Sequence, residues 1–467
     1  MAINRRPALF VALLLTGCDM APRYVRPAMP VPPALPGPTA ATAAVSTIEA
    51  ADISWQAFFT DNRLRSLLAA ALDNNRDLRI AVGRVAQARA QYGVSRSDLG
   101  PTIGIRSAAE GARTPLDSAG DGGSGTRDSY SVQGGISAWE IDLFGRIRNL
   151  SRSAQERYFA SREAQAAVRI ALIAETASAY LAMAADQDRL RIARETARTF
   201  QQTLELNMQR FRGGIGSELE VRQAETGYQQ ARSDVADLTT RIAQARNRIE
   251  LLVGTGVSPA LLPPGLRPEG STLARLPANL SSAILLRRPD IVEAEHQLRA
   301  AYADIGAARA AFFPTISLTA VAGTLSGSLS GLFQGGSSSW SVAPSATLPI
   351  FDFGRNRGNL RYAEASRDVA VAEYERAIQT AFREVADALA RRATIDSQLE
   401  AQMALRRAAA TAHRLSEARF REGVEPFLTT LDAQRTLYAA ELSLIGSREA
   451  AELNLVDLYR ALGGGIH

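Results

Sequence analysis

The chain has no lysine; all 53 of its basic residues are arginine. That removes the phosphate-binding lysine of a Walker-A loop and any lysine Schiff base. It also explains a pI near 9.6 at a net charge of only +5, because tyrosine is left to set the balance point. There is one cysteine, and the three histidines (His296, His413 and His467) are far apart. No Cys/His zinc cluster can be written, and six scattered methionines suggest no soft-metal relay. Acids and arginines are interspersed, so the clustered basic charge of a nucleic-acid binder is missing. No carboxylate pair stands out from a solvated helical face. The chain reads as no enzyme, with no cofactor, no metal site and no nucleic-acid partner. At 467 residues there is room for roughly two or three ordinary domains.

What is present is a repeat. Arg210-Phe211-Arg212-Gly213-Gly214 returns as Arg419-Phe420-Arg421-Glu422-Gly423, 209 residues later. Phe144-Gly145-Arg146 returns as Phe353-Gly354-Arg355 at the same offset, and Val253-Gly254 as Leu462-Gly463. Gly100-Pro101-Thr102-Ile103 pairs with Phe313-Pro314-Thr315-Ile316 at an offset of 213. A fixed internal period marks a duplicated unit that does not bury its apolar face alone. The halves are placed at 61–276 and 277–467.

The amino terminus is an address. Asn4-Arg5-Arg6 precedes a nine-residue apolar run, Pro7 to Leu15, too short to span a bilayer and suited to a secretory signal. It ends in Leu15-Thr16-Gly17-Cys18, which resembles a bacterial lipoprotein signal cleaved before the cysteine. Residues 1–17 are therefore read as signal peptide, Cys18 as the lipidation site, and 18–60 as a lipidated extended tether. The tether is rich in proline and alanine, with six prolines between Pro27 and Pro38. Asp19 follows the cysteine, where an aspartate tends to retain enteric lipoproteins at the inner membrane.

Two segments, Ile147–Phe211 and Asn359–Glu422, run 65 and 64 residues without glycine or proline. As helices they would be about 96–98 Å long, far beyond the globular norm, and belong to a rod or tube. Each ends at its RFRxG element, where glycine lets the chain turn. Shorter helices, Ser217–Val253 and Phe427–Leu462, return from the turns, giving helical hairpins at 145–253 and 354–462. Asn74–Leu99 and Asp290–Phe313 supply the remaining length. Leu428, Leu431, Arg435, Tyr438, Leu442 and Ile445 step by 3 and 4 in a heptad-like seam. Between the helices lie four period-two strands, about 101–112, 129–140, 314–325 and 338–350. They fit outer-membrane barrel strands. An open sheet edge is not tolerated in lipid, so several chains must share one barrel.

Ala21-Pro22-Arg23-Tyr24-Val25-Arg26-Pro27, Phe353-Gly354-Arg355, Leu431-Asp432-Ala433-Gln434-Arg435 and Leu458-Tyr459-Arg460-Ala461-Leu462-Gly463-Gly464-Gly465 complete the pattern. Together with the duplication and the lipoprotein signal, they resemble the TolC-like outer-membrane efflux proteins. The OprM/NodT lipoprotein branch, which serves resistance-nodulation-division pumps, is the most similar. The resemblance implies a mainly α protomer with a small transmembrane β part, internally duplicated into four strands plus long helical hairpins. A homotrimer would form a 12-strand barrel in outer-membrane lipid and a 12-helix periplasmic tunnel. Its partners would be a periplasmic adaptor protein and an inner-membrane resistance-nodulation-division transporter. Leu428, Asp432 and Arg435 map onto the family's periplasmic gate. Arg210, Phe211, Arg212, Gly214, Arg419, Phe420, Arg421 and Gly423, at the turns, are the expected adaptor contacts. Two other functions remain open on sequence: an exit duct for type I protein secretion, and a non-channel periplasmic coiled-coil scaffold.

Overall fold

The computed structural model describes residues 19–35, 53–114, 125–268, 270–272 and 281–464. The signal peptide and Cys18 lie outside them. The elements follow the duplication. Three helices, α1 (Trp55–Phe58), α2 (Asn62–Asn74) and α3 (Arg76–Ser97), lead into strands β1 (Ile103–Thr114) and β2 (Gly125–Glu140). A helical hairpin follows, α4 (Arg146–Arg212) and α5 (Glu218–Val253). The second half repeats the order with α6 (Pro289–Ala310), β3 (Thr315–Ser326), β4 (Ser338–Thr347), α7 (Arg355–Arg421) and α8 (Phe427–Ala461). Both α4 and α7 are 67 residues long, as the glycine- and proline-free runs require. The chain divides into two compact units, one of Met1–Ala28, Arg84–Arg162 and Glu293–Tyr374, the other of Met29–Gly83, Glu163–Val292 and Glu375–His467.

The first unit carries one four-stranded antiparallel sheet in the order β1-β2-β3-β4. The two repeats join at the β2–β3 ladder, which leaves β1 and β4 as edges. The register sorts side chains by polarity. Ile316, Leu318, Ala320 and Ala322 face Ala346, Pro344, Val342 and Trp340, while Thr315 and Ser317 face Thr347 and Ser345. On the polar face the Ser317 and Ser345 hydroxyls meet at 2.8 Å. Gly135 and Gly323 sit where the β2–β3 ladder is most tightly apposed. A Cβ at either would lie 2.1 Å from a facing carbonyl oxygen, so no side chain fits. Beyond Ile136 the register shifts at a bulge. β2 begins at Gly125, earlier than 129, because these residues pair with the distal end of β1. β4 stops at Thr347, short of the expected 350: Pro349 cannot donate to a ladder.

The tether expected over 18–60 is not free where it is described. Asp19 accepts from Asn149 at 2.9 Å and Arg152 at 2.8 Å. Those bonds and the Ala21 amide outweigh burial and hold its carboxyl at about 2. Ala21 packs against Gly306 so closely that a Cβ there would lie 2.7 Å away. Glu295, a buried carboxylate on α6, then receives the Tyr24 hydroxyl at 3.0 Å and the Arg26 guanidinium through both oxygens. Arg299 adds a third donor at 2.6 Å. Burial alone would raise the Glu295 pKa, but these donors overcome it and hold the group below its ordinary value. The tether reading also ends too late. Trp55, Phe58 and Phe59 are core residues of the second unit, since this aromatic run buries area that a solvated linker would expose.

That core gathers Leu64, Leu67 and Leu68 of α2, Ile173, Tyr180 and Leu181 of α4, Ile249 and Leu252 of α5, and Val456 and Tyr459 of α8. Tyr459 stacks on Phe58 with centroids 4.1 Å apart, and its hydroxyl donates to the Ile53 carbonyl. Tyr180 donates to Asp61, the N-cap of α2.

Replacing Glu295 by glutamine leaves Arg26 without its bidentate partner and weakens docking of residues 19–27 by about 2 kcal/mol. Limited proteolysis should then cut that segment first, and unchanged protection would exclude the clamp. A carboxylate with a depressed folded-state pKa stabilises fully above its unfolded pKa. The wild-type clamp should therefore hold at neutral pH and loosen only as pH falls below the ordinary carboxylate range.

Candidate functional site

The two hairpin turns have one geometry. At the end of α4, the Gly214 amide donates to the Phe211 carbonyl and Ile215 to Arg210, both at 3.0 Å. At the end of α7, Gly423 donates to Phe420 and Val424 to Arg419, at 3.0 and 2.9 Å. Gly214 and Gly423 have φ of 74° and 71°, the left-handed conformation this double-bonded helix end requires. The glycines thus shape the turn. The helices that follow start differently. Ser217 and Glu220 form a reciprocal capping box on α5, whereas α8 starts from Pro426 with no side-chain cap. A missing cap is worth about 1 kcal/mol of helix stability, so the second turn is held less firmly.

Of the expected adaptor contacts, one is overturned as a surface residue. Phe420 is only 7% exposed and packs with Phe427, Leu431, Phe200, Leu204 and Val221. The Arg210 guanidinium lies over its ring at 5.2 Å, so Arg210 is drawn onto the hairpin contact rather than held out in solvent. The cause is the contact between the two hairpins: it buries the second-copy phenylalanine and leaves Phe211 47% exposed. Arg419 pairs with Glu425 at 3.2 Å, and Arg421 with Glu417. Arg212 has no ion-pair partner among the described residues. Sequence reasoning missed Ile215 and Val424, both exposed and directly after the turn glycines. The repeat itself was the available signal, because the two stand 209 residues apart.

The expected gate residues share one exposed face of α8. Leu428 is 56% exposed, and Asp432 and Arg435 are exposed at i+4 and i+7. The opposite face buries Phe427, Thr430, Leu431 and Gln434, and Thr430 bonds to Ser416 of α7. The seam written as Leu428, Leu431, Arg435 and Tyr438 therefore mixes two faces. Its spacing was helical, but the buried stripe passes through residues 427, 431 and 434. Neither Asp432 nor Arg435 has an ion-pair partner among the described residues. Their counterparts Gln223 and Thr226 carry no charge, and Thr226 bonds back to the Arg222 carbonyl. One turn beyond Arg435, the Tyr438 hydroxyl donates to Asp234 of α5 at 2.8 Å. Burial, then that carboxylate, push the phenol pKa up, so it stays a donor.

The outer membrane efflux protein family matches residues 67–255 and 280–464. The probable efflux pump outer membrane protein TtgC of Pseudomonas putida is 43% identical over 97% of this chain and 94% of its own. The outer membrane protein OprJ of Pseudomonas aeruginosa is 44% identical over 98% and 95%. Among solved structures, the open-state MtrE outer membrane channel of Neisseria gonorrhoeae superposes with a TM-score of 0.85. It is 37% identical, over 96% of this chain and 99% of its own. A membrane protein from Pseudomonas aeruginosa gives 0.88 at 42% identity, over 96% and 98%.

Truncating Phe420 to alanine should lower stability by about 3–5 kcal/mol, whereas Phe211→Ala should stay within about 0.5 kcal/mol. Denaturant titration followed by helical circular dichroism distinguishes them; equal losses would contradict the asymmetric packing.

Proposed function

Because the chain belongs to the outer membrane efflux protein family, we propose that it is the outer-membrane exit channel of a tripartite efflux pump. It is a passive duct rather than an enzyme. It passes small toxic compounds from a periplasmic adaptor and an inner-membrane resistance-nodulation-division transporter to the exterior. The observation that carries this reading is the sheet. It has two free edges and one face with exposed Ile103, Ile105, Trp340 and Val342. Such a face suits lipid, and free edges in lipid must be paired by other copies. Three protomers supply twelve strands. Lipid on Cys18 would anchor each chain. The efflux names of TtgC and related proteins favour this duct over one for type I secretion.

The exposed Leu428, Asp432 and Arg435 face supports a gate. In a symmetric trimer these residues make an apolar collar beside a ring of alternating charge. Unpaired among the described residues, Asp432 and Arg435 are free to pair between protomers. Exposed pairs are worth little singly, about 0–1 kcal/mol, so a ring of them holds the end closed without making opening prohibitive. The uncapped start of α8 favours movement at the tip of the second hairpin, while the Tyr438–Asp234 and Arg189–Glu449 bonds to the first hairpin lie farther along the helix. Phe211, Arg212, Ile215 and Val424, with the ion-paired Arg419 and Arg421, form the surface offered to the adaptor.

Alanine at both Asp432 and Arg435 should raise closed-state single-channel conductance in planar bilayers several-fold. Unchanged conductance would sink the gate assignment. Removing the protein from its host should increase retention of a hydrophobic dye, restored by the wild-type chain; no change in retention would argue against an efflux role.

A further inference from the structure

Arg146 and Arg355, the arginines of the two Phe-Gly-Arg motifs, line one cavity of about 230 Å³ with Glu140, Asp142, Phe144, Phe313 and Pro349. The first copy neutralises its own charges. Arg146 donates to both oxygens of Glu140, at 2.9 and 2.5 Å, and Arg148 donates to Asp142 at 3.3 Å. In the second copy the arginines persist as Arg355 and Arg357, but the carboxylates do not. At the 209 offset Glu140 becomes Pro349 and Asp142 becomes Phe351. Among the described residues neither Arg355 nor Arg357 has an ion-pair partner. The adjacent acid, Asp352, accepts from the Asn356 and Gly354 amides, both at 2.9 Å, and those bonds, with the nearby Arg355 charge, hold its carboxyl below the ordinary value.

Water solvates an exposed arginine well, so unpaired cations alone decide nothing. The exchange of carboxylates for apolar residues, with exposed aromatics beside the cations, does decide. Ile350, Phe351 and Phe353 are 93%, 77% and 93% exposed. Phe351 and Phe353 hold their ring centroids 4.6 Å apart, and Phe353 adopts φ of 53°, a conformation that bulky side chains rarely take. Just beyond the end of β4, exposed Leu348 and Ile350 follow the exposed Trp340 and Val342 of the strand. A cationic patch at the end of an apolar exposed surface is the pattern that an anionic amphiphile complements.

We propose that this junction of β4 and α7 binds the phosphate headgroup of an anionic membrane phospholipid. Arg355 and Arg357 hold the phosphate, and the acyl chains lie along the apolar face of the sheet. The proposal rests on the reading of the sheet as membrane-spanning. The test uses the full chain, purified as its oligomer and reconstituted in phosphatidylcholine vesicles with or without phosphatidylglycerol. Retained lipid is then counted by native mass spectrometry. The wild type should retain phosphatidylglycerol over phosphatidylcholine. R355Q/R357Q should lower that preference on the order of tenfold, R355K/R357K should keep most of it, and both should remain oligomeric. Equal phosphatidylglycerol retention in the wild type and the glutamine variant overturns the proposal. So does loss of the oligomer with lipid preference intact, which would assign these arginines to a second copy of the chain. Failure of the wild type to enter any vesicle would instead overturn the membrane reading beneath it.

Discussion

A strand edge left unpaired in hydrocarbon exposes a row of amides and carbonyls that nothing there can satisfy. Every larger feature of this protein answers to that constraint. The protomer contributes four strands in the order β1-β2-β3-β4 and closes nothing by itself. Its edges require further copies, and the copies bring two long hairpins each. An oligomeric channel is thus the consequence of a sheet too small to close.

Duplication supplies the architecture, and the two copies diverge in their chemistry. Both turns use a left-handed glycine and the same pair of backbone bonds, so the hairpins are near-equivalent as architecture. Their chemistry differs. The first copy has a capping box, uncharged Gln223 and Thr226, and arginines neutralised by Glu140 and Asp142. The second has an uncapped helix start, the charged Asp432 and Arg435, and arginines without an ion-pair partner among the described residues. Among the described residues, Asp432, Arg435, Arg355 and Arg357 of the second copy have no ion-pair partner, whereas Arg146 and Arg148 of the first do.

The amino-terminal segment shows the same economy. Tyr24 and Arg26, which read as part of a tether signature, converge on the buried Glu295. A polar motif without periodicity gives no clue to its partner 269 residues away, since that pairing is made by chain topology. Asp19, open to reading as a sorting residue, is engaged by Asn149 and Arg152.

Local chemistry was enough to read the long helices, the turns and the strands, because helix continuity, glycine turns and period-two alternation are properties of neighbouring residues. That Leu428, Asp432 and Arg435 share one helix face was legible too, from i, i+4 and i+7 spacing. Which of two equivalent phenylalanines is buried was not. Phe211 and Phe420 have nearly the same neighbours in sequence, and only the contact between hairpins sends one into the core. The same holds for Phe58 and Phe59 as core residues, for the Tyr438–Asp234 bond, and for the two Phe-Gly-Arg arginines meeting at one cavity. Periodicity is encoded within a segment; the identity of the partner across hundreds of residues is decided only when the segments pack.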